Sequence, residues 1–259
     1  MSSGLRTNAV AFNTIARKEI KRFLRIWGQT ILPAAITMTL YLVIFGGLIG
    51  SRVGEMGGFS YMDYIIPGVI MMSVITNSYS NVVSSFFGAK WQKHVEELLI
   101  SPIPGYVILA GYVAGGVTRG LAVGIAVTLV SFFFADLRIA NPGITVAVIV
   151  ATAVLFSMAG FVNALFAKSF DDVTIIPTFV LTPLTYLGGV FYSIRLLPEF
   201  WQHVSLLNPI VYMVDAFRYG FLGASDIDIG KTFAIMTIFI VVLFGFCVRL
   251  LNKGTGLRT

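Results

Sequence analysis

Residues 139–167 read IANPGITVAVIVATAVLFSMAGFVNALFA, with no Asp, Glu, Lys or Arg before Lys168 closes the run. A helix needs about 20 apolar residues to cross the roughly 30 Å hydrocarbon core of a bilayer. This stretch is long enough to do so. The same pattern repeats outward along the chain. Residues 26–51, 64–89, 173–194 and 232–248 are also free of charge, and 98–135 is broken only by Arg119. The last run is slightly short, but Arg249 can snorkel to the interface.

The spacing predicts an all-α integral membrane protein with six transmembrane helices. Their expected bounds are 30–50, 62–87, 106–134, 143–167, 173–193 and 231–250. Of the 259 residues, 57% are hydrophobic and 12% charged. A soluble domain carries about 25% charged residues. The composition therefore excludes an ordinary soluble domain, a disordered chain and a disulfide scaffold. Cys247 is the single cysteine, so no intrachain disulfide is expected. The polar, basic stretch before the first apolar run argues against a cleaved signal peptide. One membrane domain, 1–259, is expected.

The net charge of +6 is read by position. With the N-terminus inside, the inner segments hold Arg6, Arg17, Lys18, Lys21, Arg22, Arg25, Lys90, Lys93, Lys168, Arg249, Lys253 and Arg258. Only Arg52, Arg138, Arg195, Arg218 and Lys231 fall outside. This bias predicts cytoplasmic termini. It also points to lipid headgroups rather than nucleic acid.

Residues 10–28 have an amphipathic pattern. Phe12, Ala16, Ile20, Phe23 and Trp27 recur at helical spacing, with Arg17, Lys18, Lys21, Arg22 and Arg25 gathered opposite. Such a helix lies in the membrane interface and contacts lipids; a plain topogenic basic flank is the simpler reading. In the second span, Ser73, Asn77, Ser80, Asn81 and Ser84 form a polar stripe. It serves interhelical hydrogen bonds or walls a transport path. In the third span Gly116, Gly120 and Gly124 allow close helix packing. Arg119 beside them needs a structural partner, an interface or a substrate.

The inner loop 88–105 reads GAKWQKHVEELLISPIPG. Lys93 and Glu97 are spaced for a helical ion pair. Trp91, Val95, Leu98 and Leu99 supply an apolar side. Pro102 and Pro104 stop the helix. A helix over 89–101 with both faces defined is a docking element or a membrane-surface linker. Ser169-Phe170-Asp171-Asp172 is a capping signal for the fifth span. Pro177 and Pro183 predict a bend there, and Gly188-Gly189 an ending or hinge. Residues 194–222 are apolar but broken at Asn208-Pro209, so they predict a re-entrant hairpin of two short helices before the last span.

No metal or nucleophile motif is found. His94 and His203 fall on opposite sides, and Gly230-Lys231-Thr232 lacks the glycine a phosphate loop needs at Ser225. Acidic residues avoid the spans, which argues against a proton relay. Energy for uphill transport must then come from a partner. A membrane-embedded lipid-modifying enzyme and a non-transporting anchor or assembly protein are the rival readings.

Three stretches carry a family likeness: Glu96-Glu97-Leu98-Leu99-Ile100-Ser101-Pro102-Ile103-Pro104, Phe170-Asp171-Asp172 with the proline-rich fifth span to Tyr192, and Leu207-Asn208-Pro209. The chain resembles the permeases of ABC-2 type exporters, most closely an inner-membrane transport permease branch. The resemblance implies a homodimer in the bacterial inner membrane, joined by two cytoplasmic ABC ATP-binding subunits. ATP and Mg would sit on those subunits, with no cofactor or metal in this chain and no catalytic residue of its own. It implies ATPase coupling through Trp91, Lys93, Glu96, Glu97, Leu98, Leu99, Pro102 and Pro104. Residues 10–28 would be the interfacial connecting helix. The hairpin with Trp201, Asn208, Pro209 and Tyr212 would limit the outer end of the path. Tyr41, Thr182, Tyr186 and Phe191 are the candidates for lining it, moving a hydrophobic or amphipathic substrate.

Overall fold

The chain was described from a computed structural model covering residues 2–256, with all side chains except those of residues 2, 3 and 99. The side chain of Leu99, and Arg258 altogether, lie outside the described residues. Among the described residues the regular structure is helical, except for one two-stranded hairpin. Helix α1 spans Ser2–Arg25 and ends because Ile26 leaves helical geometry. Helix α2 follows directly over Trp27–Val53, with a π-helical stretch at Leu42–Ile49. The expected single helix over 10–28 is thus two helices meeting at Ile26. Pro33 sits in the interior of α2, because the helix begins at Trp27. There its missing N–H removes an internal bond.

Strands β1 (Glu55–Met56) and β2 (Phe59–Ser60) pair antiparallel. Gly57 and Gly58 both adopt positive φ in the turn between them, as a two-residue hairpin requires. Ser60 then caps α3, Tyr61–Trp91, accepting from the Asp63 amide at 3.2 Å. α3 is buried along nearly its whole length and forms the axis of the molecule. It packs on α5 (Gly105–Ser131) and α6 (Pro142–Phe166), the latter opened by Pro142 at its first position. Between α3 and α5 lies the short helix α4, His94–Ile100.

The glycine repeat works as its spacing implies. A Cβ on Gly116 would meet Ser157 and Val82, one on Gly120 would meet Ser78, and one on Gly124 would meet Val74. Small residues let helix backbones approach closely where no hydrophobic force drives them together.

Helix α7 runs over 170–186 and is π-helical at Pro177–Leu181. The Ser169 hydroxyl accepts from the Asp172 amide, and the Asp172 carboxylate accepts from the amides of Lys168 and Ser169. The Lys168 amide is the main cause holding the Asp172 carboxyl below its ordinary range. The helix stops at Tyr186, and Gly189 takes a positive φ just beyond. Two further helices, α8 (Glu199–Ser205) and α9 (Pro209–Leu222), fill the segment before α10, Ile229–Lys253. Among the described residues, four helices are long and apolar enough to cross a membrane: α2, α5, α6 and α10.

Candidate functional site

Three of the four residues singled out for a transport path come together. Tyr41 on α2 hydrogen-bonds Tyr186 on α7 through their hydroxyls. Phe191 packs on both, with ring centres at 5.7 and 5.9 Å. Phe45, one turn along α2 from Tyr41, completes the cluster at 4.5 Å from Phe191. Phe45 was missed by the sequence reading, although its spacing from Tyr41 was a signal. Thr182 stands apart, its hydroxyl donating to the Pro177 carbonyl at 2.8 Å. The lost proline N–H and this bond together accommodate the π-turn. Such turns cluster at functional sites, and the other one lies on α2 beside the same aromatic cluster.

The helices that carry this cluster turn apolar faces outward. Ile36, Leu40 and Leu48 of α2, and Phe179 and Val180 of α7, are exposed. The α7 segment is held mainly at its two ends. At the Tyr186 end Asn208 donates to the Leu184 carbonyl at 2.7 Å, and its own side chain caps α9. Arg218 donates to the Gly189 carbonyl at 2.6 Å while lying 3.9 Å over the Tyr64 ring. Asp215 faces Arg218 at 3.9 Å and accepts from the amides of Asp226 and Ile227. The sequence reading counted Arg218 only as an outer charge. The Asp215–Arg218 spacing on an otherwise apolar helix was the available clue.

Tyr212 donates to the Leu206 carbonyl at 2.8 Å, closing the turn between α8 and α9, with Pro209 in the first turn of α9. Trp201 is exposed and packs edge-on against Phe200. Trp201 also walls an apolar cavity of about 550 Å³ with Leu184, Leu187, Tyr192 and Leu207.

At the opposite end, α4 presents Glu96 and Glu97 to solvent while Val95 is buried. Lys93 is left-handed (φ 61°) and precedes the helix, so it forms no ion pair with Glu97 among the described residues. Trp91 also lies outside α4, as the last residue of α3. It packs on Phe170 at 5.3 Å, at the start of α7. The expected helix over 89–101 is therefore split by the Gln92-Lys93 turn, and its apolar side is not one face. Pro102 is exposed, and Pro104 sets the extended residue before α5. His94, Glu97, Leu98 and Ser101 share a recess of about 390 Å³ with Lys18 of α1. Lys90 is buried, and its ammonium donates to the carbonyls of Leu165 and Ala167.

Helix α1 packs along α5, with Asn8 on Tyr106, Ile15 on Gly111 and Glu19 on Gly115. Arg17, Lys21 and Arg25 are exposed. Arg22 turns inward to the Asn81 side chain and carbonyl, at 2.9 and 3.0 Å. Glu19, which the sequence reading passed over, is fully buried beneath it. Arg119 donates to Asn77 at 3.3 Å. Two members of the polar stripe thus bind arginines from neighbouring helices.

Residues 10–222 match the family described as ABC-2 type transporter. This chain belongs to the ABC-2 type transporter family. It is 60% identical to the inner membrane transport permease YadH of Escherichia coli K12, over 96% of this chain and 98% of that one. The YadH permease of Shigella flexneri matches equally. Nodulation protein J of Rhizobium meliloti is 24% identical over 83% of this chain and 82% of its own length. The chain is accordingly a multi-pass inner-membrane permease of the ABC-2 family, and permeases of this family work with a nucleotide-binding subunit. The ABC-2 match ends at residue 222, the last residue of α9, so α10 lies beyond it.

Proposed function

We propose that this chain is the permease half of an ATP-driven exporter. Two copies pair through α2 and α7, and two cytoplasmic ATP-binding subunits dock on α4 and its recess. In this reading six helices cross the membrane: α2, α3, α5, α6, α7 and α10. Helices α8 and α9 form a re-entrant outer hairpin, and both termini are cytoplasmic.

One observation carries the reading. The Tyr41–Phe45–Tyr186–Phe191 cluster lies on the two helices with open apolar faces and the turn that follows α7, while the exposed acidic helix lies at the far end of α3. Trp91 and Lys90 join that acidic end to the start of α7 and the end of α6. Movement of α4 would therefore reach the start of α7 through the Trp91–Phe170 ring contact. A hydrophobic or amphipathic substrate, moved outward between the two copies, suits an aromatic lining without buried carboxylates.

The test is co-purification with the cognate ATP-binding subunit and reconstitution in liposomes. ATP hydrolysis and outward movement of an amphipathic substrate are expected together. Glu97→Arg combined with Leu98→Ala should leave hydrolysis running and abolish transport. Absence of any bound ATPase would leave an anchoring role and discard this reading.

A further inference from the structure

Three cations from two helices converge over the polar stripe of α3. Lys18 and Arg22 lie one turn apart on α1, and Arg119 comes from α5. Arg22 binds Asn81 and Arg119 binds Asn77, one turn apart on α3. Lys18 lies 5.5 Å over the Tyr112 ring. Among the described residues Glu19 is the one carboxylate in contact, facing Lys18 at 3.6 Å and Arg22 at 3.3 Å. One negative charge against three positive charges leaves the cluster cationic, and an uncompensated charge at membrane depth is costly.

The donors in the cluster are also incompletely used. Asn81 Nδ2, the Tyr112 hydroxyl and Arg119 Nε have no hydrogen-bond partner among the described residues, and the Asn81 and Tyr112 side chains are fully buried. Buried donors normally find an acceptor. The cluster reaches the surface at one edge, where the Lys18 and Arg22 side chains are 56% and 29% exposed.

We propose that the exposed edge of this cluster, at Lys18 and Arg22, holds the phosphate group of an anionic membrane lipid. The phosphate supplies the missing negative charge and accepts from the Lys18 ammonium and the Arg22 guanidinium. Two features favour a lipid over phosphate in solution. The 31-residue helix α3 is about 46 Å long and overshoots a roughly 30 Å hydrocarbon core at both ends. Asn81, about 15 Å from the Trp91 end, therefore sits just below the headgroups on the side that carries Lys90 and Lys93. Beside Arg22 the apolar side chains of Leu24, Ile26 and Trp27 are exposed, a surface for acyl chains. Basic pockets between helices recognise anionic lipids in this way. The inference needs only membrane insertion and does not depend on the ATP-driven reading.

The experiment uses the full chain purified in neutral detergent. It is given equal amounts of phosphatidylglycerol and phosphatidylcholine, and the retained lipid is identified by native mass spectrometry. Selective retention of phosphatidylglycerol is expected. Lys18→Gln and Arg119→Gln should each weaken that preference about fivefold, the scale of one basic side chain at an anionic surface. Lys21→Gln and Arg25→Gln, on the exposed side of α1, should leave it unchanged. Lys18→Gln removes a half-exposed side chain, so it tests the site even if Arg119→Gln fails to fold. Equal retention of the two lipids, or a preference insensitive to Lys18→Gln, overturns the proposal. Thermal stabilisation by inorganic phosphate without any lipid preference overturns the lipid as its source.

Discussion

The ammonium group of Lys90 donates to the carbonyl oxygen of Leu165 at 2.7 Å, and also reaches Ala167 at 2.8 Å. These carbonyls lie at the C-terminal end of α6, where helix carbonyls lack intrahelical partners and a cation is favoured by the helix dipole. A side chain that sequence placed in a charged docking loop thus closes the joint between α6 and α7. Lys90→Met should lower stability by about 1–3 kcal/mol, the cost of leaving buried polar groups unpaired. The thermal unfolding midpoint in detergent measures it.

The same lysine predicts a pH dependence. Burial, with a smaller push from Lys168, lowers the Lys90 pKa below its ordinary 10.5. Between the lowered and ordinary values the unfolded chain binds more protons than the folded one, so stability rises with pH across that window. The gap in unfolding midpoint between wild type and Lys90→Met should widen as pH approaches 10.5. A constant gap would contradict the assignment.

Glu19 is the keystone of the contact between α1 and the bundle. Glu19→Ala leaves Arg22 and Lys18 without their carboxylate and should cost about 3 kcal/mol, at the low end for a broken buried pair because Arg22 is partly exposed. Chemical denaturation measures the loss. Combining it with Arg22→Ala should cost less than the sum of the two single changes.

Gly68 faces the Val190 backbone, and a Cβ there would lie 2.6 Å from the Val190 carbonyl oxygen. Backbone cannot step aside as a flexible side chain can. Gly68→Ala should destabilise by about 1–3 kcal/mol, the scale of overpacking. Gly88→Ala, with nothing within 4 Å, is the matched control. It should be neutral or slightly stabilising, since alanine favours a helix by about 1 kcal/mol over glycine.

The aromatic cluster makes a functional prediction. Phe45→Ala and Phe191→Ala remove half-buried rings at the open face of α2 and α7. In the reconstituted complex, transport should fall at least tenfold while ATP hydrolysis persists. Equal loss of both activities would indicate a folding defect instead.

Much of this architecture is local and could be read along the chain. Charge-free runs give the apolar helices, because only an apolar surface suits lipid. Ser169 and Asp172 start α7 through bonds within four residues, and the prolines of α7 mark where its hydrogen-bond pattern breaks. Gly116 and Gly120 announced close packing, although not that Ser157 and Ser78 would fill the space. Other assignments failed for a physical reason. Arg22 and Lys21 are neighbours of the same type. One is directed to Asn81 and the other to the exterior by a helix 59 residues away in sequence, and no local periodicity encodes that. Lys90 and Arg218 are likewise paired across long separations. The sequence by itself determined the membrane class, the family and the order of helices, because hydropathy and capping act over a few residues. Tertiary structure alone decided which charges turn inward and which rings meet. Those outcomes depend on what the opposing helix offers, a carbonyl, an amide or a glycine gap, at a matching height.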